Sequence, residues 1–287
     1  MRRSVHAPLS LRTLADLCAG TDNATMWHPQ PTPNNDAGLK LGMGDPITGY
    51  RLSLVLPAWN EGETIGQAIR EAEAALSSFA DDYEIIIVDD GSSDGTATIA
   101  AGAAGHNPRI RLVRHERNRG YGAALRSGFQ AATLDLVAFT DADCQFDLGE
   151  LRSMLPLTRQ HDVICGYRLD RREGVRRRFF SWGYNRLVKM LLGSPLRDID
   201  CALKIFQRRQ LLALLPMYDN FLANTEMIAR ARFGGLSLAE VGVHHRPRAA
   251  GHSKVSLLDI PRTLRALLPF WWSLRLKPLF ARRRGRR

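Results

Sequence analysis

Two aspartates and a glutamine follow an apolar run near the middle of the chain: Asp141, Asp143 and Gln145. Carboxylate and amide oxygens suit hard divalent ions such as Mg²⁺ or Mn²⁺, which can hold a diphosphate at the same time. On a turn just past a strand, both carboxylates can bend toward one cation. The motif predicts a metal site made of these three residues; the alternative is an ordinary turn that caps a helix near Asp147.

A second polar segment, from Asp89 to Gly95, is rich in aspartate, serine and glycine. As a plain turn it would cap a helix, because Asp and Ser accept hydrogen bonds from helix N-termini. As a pocket it would offer a carboxylate to a base or ribose, while glycine permits close backbone approach. Gly120-Tyr121-Gly122 lacks the dinucleotide-binding spacing, and no P-loop lysine follows a glycine loop. The functional interpretation is therefore a nucleoside pocket that is neither a dinucleotide-binding site nor a P-loop.

Strands and helices that alternate along the chain must position these segments. Strands are predicted at 52–56, 84–88, 110–113, 134–140 and 162–165, and helices at 62–79, 94–104, 120–132 and 147–158. The alternation predicts right-handed βαβ units and a mostly parallel sheet with helices on both faces. Ligands of such sheets bind beyond the carboxyl ends of the strands. The loops after the first, second and fourth strands should therefore converge on one site.

Composition and charge limit the class of protein. The 287 residues are 45% hydrophobic and 24% charged, which argues against a disordered, collagen-like or multispanning membrane protein. The net charge of +11 comes from two clusters, residues 168–178 and 275–287, on an otherwise balanced chain. Such clusters suit an anionic partner: phosphate, nucleic acid or a charged membrane surface. No 18-residue apolar run or convincing signal peptide is present, so no transmembrane helix is predicted.

The organisation of the chain is predicted in three parts. Residues 1–50 carry five of the 14 prolines and are expected to form a flexible tail. Residues 51–256 form the α/β domain, and 257–287 form an amphipathic, polybasic segment. Four cysteines without a CxxC pair indicate neither a disulfide framework nor a zinc site, and reduced thiols of a cytosolic protein are the expectation.

Five short motifs occur in order between residues 51 and 256. They are Pro57–Glu61 (PAWNE), Asp89–Thr96 (DDGSSDGT), Asp141–Gln145 (DADCQ), Asp198–Phe206 (DIDCALKIF) and Pro247–Lys254 (PRAAGHSK). Together they resemble the motifs of family 2 glycosyltransferases, which have the GT-A fold. Within that family the chain is similar to the branch of dolichyl-phosphate mannosyltransferases and polyprenyl-phosphate glycosyltransferases. It departs from the branch at Ala202, where glycine is usual, and at Trp59, where tyrosine is common.

The resemblance implies a role for each motif. The residues implied for nucleotide-sugar binding are Pro57, Asn60, Glu61, Asp89, Asp90, Asp141 and Lys254. Those implied for the metal and diphosphate are Asp141, Asp143 and Gln145. Those implied for the acceptor phosphate are Arg168, Arg177, Ser181, Arg248 and Ser253. Asp143, Arg168 and Arg177 would act in catalysis.

The chemistry of sugar transfer fits these residue types. Departure of a nucleoside diphosphate leaves an oxocarbenium-like centre and a growing negative charge, which a divalent ion and Arg or Lys stabilise. A lipid phosphate is already anionic and needs positioning rather than a base, and arginine binds phosphate in a bidentate manner. The predicted function is metal-dependent, inverting transfer of a hexose from a nucleotide sugar, of the GDP-mannose or UDP-glucose class, to a polyprenyl (dolichyl or undecaprenyl) phosphate.

Two alternatives remain open from the sequence. A sugar hydroxyl as acceptor, as in polysaccharide or cell-envelope synthesis, would need a general base. Glu226 is the first candidate for that base and Asp200 the second. A non-enzymatic alternative is a nucleotide-binding scaffold whose basic tail meets a membrane or nucleic acid. No Ser/His/Asp arrangement is evident in the sequence.

Two apolar, aromatic segments with interleaved cations, at 179–192 and 257–280, are typical of interfacial amphipathic helices. With the basic tail 282–287 they predict a peripheral protein on the cytoplasmic, inner face of a membrane. A separate membrane-protein partner is left open, and nucleic acid is not an expected partner because no nucleic-acid-binding fold is recognisable.

Overall fold

The structure is a computed structural model that describes residues 49–169, 183, 186–188, 190, 196–247 and 269–272. Several predicted features lie outside the described residues. They are the tail 1–48, Arg177, Ser181, Arg248, Ser253, Lys254, most of the two amphipathic segments, and the basic tail 275–287. The predictions for these parts of the chain stay predictions.

The described elements alternate as the sequence predicts up to the fifth strand. They are β1 (Arg51–Ala58), α1 (Ile65–Phe79), β2 (Asp82–Asp89), α2 (Thr96–His106), β3 (Ile110–Arg114), α3 (Tyr121–Ala131), β4 (Leu136–Phe139), a 3₁₀ turn (Leu148–Glu150), α4 (Leu151–Met154), a 3₁₀ helix (Leu155–Arg159), β5 (Val163–Arg168), β6 (Lys204–Gln207), α5 (Arg208–Leu214), α6 (Leu222–Phe233) and β7 (Leu238–Val243). The predicted single helix over 147–158 is wrong in extent, since it is three short pieces around Pro156, which has no backbone N–H to donate.

The sheet has seven strands in the order β3-β2-β1-β4-β6-β5-β7. Strand β6 runs antiparallel to both β4 and β5, and the other pairs are parallel. The predicted mostly parallel α/β sheet is confirmed. Strands β1, β2, β4 and β5 therefore end at one edge, here called the carboxyl edge, and β6 begins there.

The core is built from the central strands. Every residue of β4 is buried, as are all but the first residues of β1 and β2, which suits parallel strands covered on both faces. Helix α3 packs closely on them at Gly128, where a Cβ would overlap Val55. Phe129 of α3 also packs edge-on against Phe139 of β4, with ring centroids 5.6 Å apart. This rigid layer fixes where the strand ends present their loops.

Candidate active site

The loops after β1 and β2 are joined by hydrogen bonds. Asn60 donates its backbone N–H to Ser92 Oγ (2.8 Å), and its Oδ1 accepts from the N–H of Ser93 (2.8 Å). The N–H of Glu61 donates to Thr96 Oγ1 (2.9 Å). Asn60 has φ 52°, in the left-handed region that asparagine adopts more readily than most residues. The predicted nucleotide-sugar residues Asn60 and Glu61 are thus held in one unit with the aspartate-rich loop.

Asp89 ends β2 with a carboxylate that is fully buried. Its Oδ1 accepts from the N–H of Ser92 (3.1 Å), and its Oδ2 lies 3.3 Å from Nε of Arg114. Among the described residues, Oδ2 has no hydrogen-bond donor. A buried carboxylate oxygen without a donor is unfavourable, so this position suits a ligand that brings its own N–H or O–H. Pro57, also predicted for the donor site, is buried within β1 opposite Val88.

The neighbouring carboxylate, Asp90, is occupied by protein donors. It accepts from the N–H of Arg119 (2.9 Å) and of Gly120 (2.8 Å), and it lies 2.6 Å from His115 Nδ1. The other ring nitrogen of His115 lies 2.9 Å from Ser127 Oγ. The structure thus contains a Ser/His/Asp arrangement that the sequence did not reveal. Its two backbone bonds show that it anchors the turn before α3, while binding of nucleotide sugar by Asp90 stays a prediction.

The turn after β4 carries the predicted metal ligands. Asp143 is buried and accepts at Oδ1 from the N–H of Gln145 (3.2 Å), while Asp141 is partly buried. Cys144, which directly follows Asp143, has φ 58°. This conformation is strained for a residue with a Cβ, and such residues cluster at functional sites. The peptide is therefore bent sharply between the second aspartate and the glutamine. We call residues 141–145 the metal turn.

Tyr121, the first residue of α3, connects the aspartate-rich loop to the metal turn. Its hydroxyl donates to Asp141 Oδ1 (3.1 Å), and its ring stacks on Phe221 with centroids 5.3 Å apart. Burial raises the pKa of Tyr121 well above its ordinary value, and the charges of Asp141 and Asp143 raise it further. The contact with Asp141 thus joins the start of α3 to the metal turn.

The donor atoms of the metal turn fit one kind of divalent ion. Within the part of the chain that the structure describes, no group of three or more His, Cys, Asp and Glu side chains could hold a metal. A protein-only cage is therefore not formed by these residues. Two carboxylates, Asp141 and Asp143, are what Mg²⁺ needs when waters and substrate phosphates complete its coordination. Gln145, the third predicted ligand, donates its amide N–H to the carbonyl of Arg246 (3.3 Å).

The last motif of the sequence begins directly beside the metal turn. Arg246 donates its backbone N–H to the carbonyl of Gln145 (2.7 Å). Its guanidinium contacts Asp147 (2.6 Å) and Glu71 (3.3 Å). These three contacts place Arg246 beside the metal turn, and Arg248, Ser253 and Lys254 lie outside the described residues.

On the other side of β6, the carboxyl edge carries buried charges. Arg168 ends β5 and donates from Nε (2.7 Å) and a terminal nitrogen (3.0 Å) to the two oxygens of Asp198. Lys204 begins β6, is fully buried, and donates to the carbonyls of Ile199 and Cys201. The Asp198–Phe206 motif thus forms this part of the edge. Phosphate binding by Arg168 stays a prediction, and its guanidinium is already oriented by Asp198.

Glu226, the predicted base, lies on α6 and is fully buried. Its Oε2 accepts from the backbone N–H groups of Met217 (2.8 Å) and Tyr218 (3.0 Å), and its Oε1 accepts from Arg230 (3.1 Å). Burial raises the pKa of Glu226, against the effect of these hydrogen bonds. A catalytic role for Glu226 stays a prediction. Its contacts give it a structural one, because they hold the 217–218 backbone against α6.

The sequence analysis identified the polar loops but missed several side chains that contact these loops or lie buried near them. Tyr121, His115, Lys204 and Asn224 were not among the predicted site residues. The one signal for Tyr121 was its place between two glycines at a helix start. Asn224 is buried on α6, and its Oδ1 has no hydrogen-bond partner among the described residues. No local pattern in the sequence singles it out.

The fold class is shared with solved sugar-transferring enzymes. Glucosyl-3-phosphoglycerate synthase from Mycobacterium tuberculosis, in complex with Mn²⁺, UDP and glucosyl-3-phosphoglycerate, matches with a TM-score of 0.60. The match has 22% identity and covers 79% of this chain and 80% of that one. A second complex of that synthase, with Mn²⁺ and UDP-glucose, also gives 0.60 at 21% identity over 79% of both chains. The structure is thus of the GT-A class, as predicted.

Residues 53–213 match glycosyl transferase family 2, and the chain belongs to that family. Glycosyltransferase AglD from Haloferax volcanii is 35% identical over 82% of this chain. The chain spans 39% of the length of AglD. Dodecaprenyl-phosphate galacturonate synthase from Rhizobium johnstonii is 31% identical over 82% of this chain and 71% of that protein. The family resemblance and the enzyme class, glycosyltransferase, are confirmed.

A third relative is undecaprenyl-phosphate 4-deoxy-4-formamido-L-arabinose transferase from Enterobacter sp. strain 638. It is 34% identical over 74% of this chain and 64% of that protein. In the described part of the chain, no helix has both the length and the apolar character needed to cross a membrane.

Proposed function

We propose that this protein transfers a hexose from a nucleotide sugar to a polyprenyl phosphate, with a divalent metal ion and with inversion at the anomeric carbon. The observation that carries the proposal is the continuous link between the two polar loops. Asp90 holds Gly120, and the adjacent Tyr121 holds Asp141. The aspartate-rich loop and the metal turn are therefore connected, which supports a single binding site. Two relatives named for dodecaprenyl and undecaprenyl phosphate support a lipid acceptor.

The donor half of the proposed reaction rests on three carboxylates. Asp89 Oδ2, buried and without a hydrogen-bond donor, would accept from the nucleoside. Asp141 and Asp143 would hold Mg²⁺ or Mn²⁺, which when bound neutralises charge that develops on the leaving diphosphate. Lys254, which lies outside the described residues, is proposed to bind the phosphates from the sequence alone.

The acceptor half needs orientation rather than a base. A phosphate oxygen of the lipid would attack the anomeric carbon, and the bond from that carbon to the diphosphate oxygen would break. No proton has to be removed, because the attacking phosphate is anionic at neutral pH. Arg168, oriented by Asp198 at the carboxyl edge, would align the phosphate. Arg177, Ser181, Arg248 and Ser253 are proposed for the same task from the sequence alone.

Membrane attachment is proposed on the basic and amphipathic segments of the sequence. Deletion of residues 275–287, which contain seven cations and no acid, should weaken binding to anionic vesicles, most clearly at low salt. Co-sedimentation with vesicles that contain phosphatidylglycerol measures this, and neutral vesicles are the control. Unchanged sedimentation would contradict attachment through the tail. The inner, cytoplasmic face of a membrane is proposed as the place of action.

The direct test of the function is a transfer assay. The protein is incubated with a panel of UDP- and GDP-sugars, Mg²⁺ or Mn²⁺, and a short polyprenyl phosphate, and the glycolipid is read by mass spectrometry. One donor should give a lipid-linked hexose that disappears with EDTA. Oligosaccharide acceptors serve as the matched comparison. Transfer to a sugar hydroxyl alone, with Glu226→Gln lowering it by orders of magnitude, would replace the phosphate acceptor with a hydroxyl and assign Glu226 as base.

A further inference from the structure

We propose that Tyr121 is a positioning residue that fixes Asp141 for the divalent ion, with Phe221 supporting the tyrosine ring. The inference rests on the proposed function, because it presupposes a metal-dependent donor site. It adds a residue of α3, and the ring that supports it, which the motifs of the sequence do not contain.

The hydrogen bond at the hydroxyl has a defined direction. A tyrosine O–H carries one proton, and a carboxylate can only accept, so the proton of Tyr121 points to Asp141 Oδ1, 3.1 Å away. The hydroxyl is therefore the donor that holds this oxygen of Asp141.

The ring of Tyr121 is held from behind. It stacks on Phe221, and the N–H of the following residue, Gly122, donates to the carbonyl of Asp219 (2.9 Å). A Cβ on Gly122 would overlap the carbonyl oxygen of Tyr218, so only glycine permits this approach. Glu226 fixes the N–H of the same Tyr218 (3.0 Å). The 218–221 segment thus forms a rigid support for the tyrosine.

The hydroxyl has a function that the support alone does not need. Asp141 lies on the turn that follows β4, outside the regular strands and helices, and this turn is bent at Cys144. A hydrogen bond to one carboxylate oxygen restricts rotation of the group and presents it in a single orientation. Partners that orient metal ligands in this way change metal affinity strongly when they are removed.

The test is binding of Mn²⁺, read by electron paramagnetic resonance of the free ion, in the presence of UDP or GDP. Tyr121→Phe keeps the ring and its stacking on Phe221 but removes the hydroxyl. We expect the Mn²⁺ dissociation constant to rise about 10- to 100-fold. Affinity for the nucleoside diphosphate without metal should stay within about twofold, and the melting temperature should change little.

The matched control is Tyr83→Phe. Tyr83 is a buried tyrosine near the start of β2, at the opposite edge of the sheet, where Arg109 lies over its ring. This variant also loses one hydroxyl from a tyrosine at the sheet, and Mn²⁺ binding should equal that of the wild type. If Tyr121→Phe does not fold, Phe221→Leu gives a second test at a more exposed position, since it leaves the hydroxyl in place and removes the ring on which the tyrosine stacks.

The outcomes separate this inference from the proposed function. Wild-type-like Mn²⁺ affinity in Tyr121→Phe, or in Phe221→Leu where that variant is used, overturns the positioning role and leaves the proposed function standing. Absence of Mn²⁺ binding by the wild-type protein in the presence of either diphosphate overturns both. A weakened Mn²⁺ affinity with an unchanged melting temperature supports the inference, because a merely structural role would move both quantities.

Discussion

The two ends of strand β2 carry buried carboxylates with opposite surroundings. At its start, Glu84 accepts at Oε1 from Ser53 Oγ (2.7 Å) and the N–H of Thr133 (2.6 Å), and at Oε2 from Arg111 (3.0 Å). At its end, Asp89 accepts from one backbone N–H and faces Arg114, while its Oδ2 has no hydrogen bond among the described residues. Only the four residues 85–88 of one strand separate the two carboxylates.

At one edge of the sheet, protein donors satisfy the buried carboxylate and so stabilise the fold. At the other edge, one carboxylate oxygen has no hydrogen bond among the described residues. Burial alone would raise the pKa of Glu84, but the hydrogen bonds from Ser53, Thr133 and Arg111 outweigh it and the pKa is lowered. The ionised form of Glu84 thus contributes to stability. Asp89 is more deeply buried, and its Oδ2, 3.3 Å from Nε of Arg114, has no hydrogen bond among the described residues, so a ligand could supply one.

The largest difference between the two edges of the sheet is expected for a substitution in the metal turn. Asp143→Asn should lower transfer at least about 100-fold, because it removes a charge that holds the cation, and it should leave the melting temperature within a few degrees. The control is Asp135→Asn, an exposed aspartate at the opposite edge paired with Arg51 at 3.4 Å. Full activity of Asp143→Asn, or an equal loss in the control, would contradict the metal assignment.

A pair of variants at the two ends of β2 tests the comparison itself. Asp89→Asn should weaken nucleotide-sugar binding about 10- to 100-fold, since a charged acceptor becomes neutral, with no loss of stability. Glu84→Gln should lower the free energy of unfolding by about 1–3 kcal/mol through loss of the Arg111 pair, with unchanged nucleotide affinity. Isothermal titration and urea unfolding measure the two quantities. The comparison fails if each variant changes both of them equally.

The smallest expected effect is a difference in pH dependence between Glu84 and Glu226. For Glu84, whose folded pKa is lowered, the stabilisation is complete above the unfolded value near 4.5 and is lost as pH falls through the folded pKa. For Glu226, whose folded pKa is raised by burial, stability instead decreases as pH rises from about 4.5 through the folded pKa. Urea unfolding of Glu84→Gln and Glu226→Gln between about pH 3 and 7 should therefore give deviations from the wild type with opposite slopes. Parallel curves would be inconsistent with these shifts.

The sequence predicted strands β1 to β5, where the local hydrophobic pattern agrees with the position of each strand in the sheet. The run Glu84–Val88 (EIIIV) and the run Leu52–Leu56 are apolar because parallel central strands are buried on both faces, so their positions were readable. The polar residues after them marked the strand ends. Placing the predicted loops at one edge required only the rule that parallel strands end together.

The remainder depended on contacts between distant residues. Strand β6 begins with Lys204, a charge that looks unsuited to a buried strand until the carbonyls of Ile199 and Cys201 satisfy its ammonium. The support of Tyr121 by Phe221 joins residues 100 positions apart, and the His115 arrangement joins three loops or helices. Neither has a local periodic signal. Folding alone brings these groups together.

The reversed strand β6 has a geometric consequence for the reaction. It lies between β4, which leads to the metal turn, and β5, which ends at Arg168. Adjacent strands are about 4.8 Å apart, so the tips of β4 and β5 are separated by roughly 10 Å. In the proposed reaction, the cation at the metal turn and the guanidinium of Arg168 would therefore stand about two strand spacings apart, with the sugar between them.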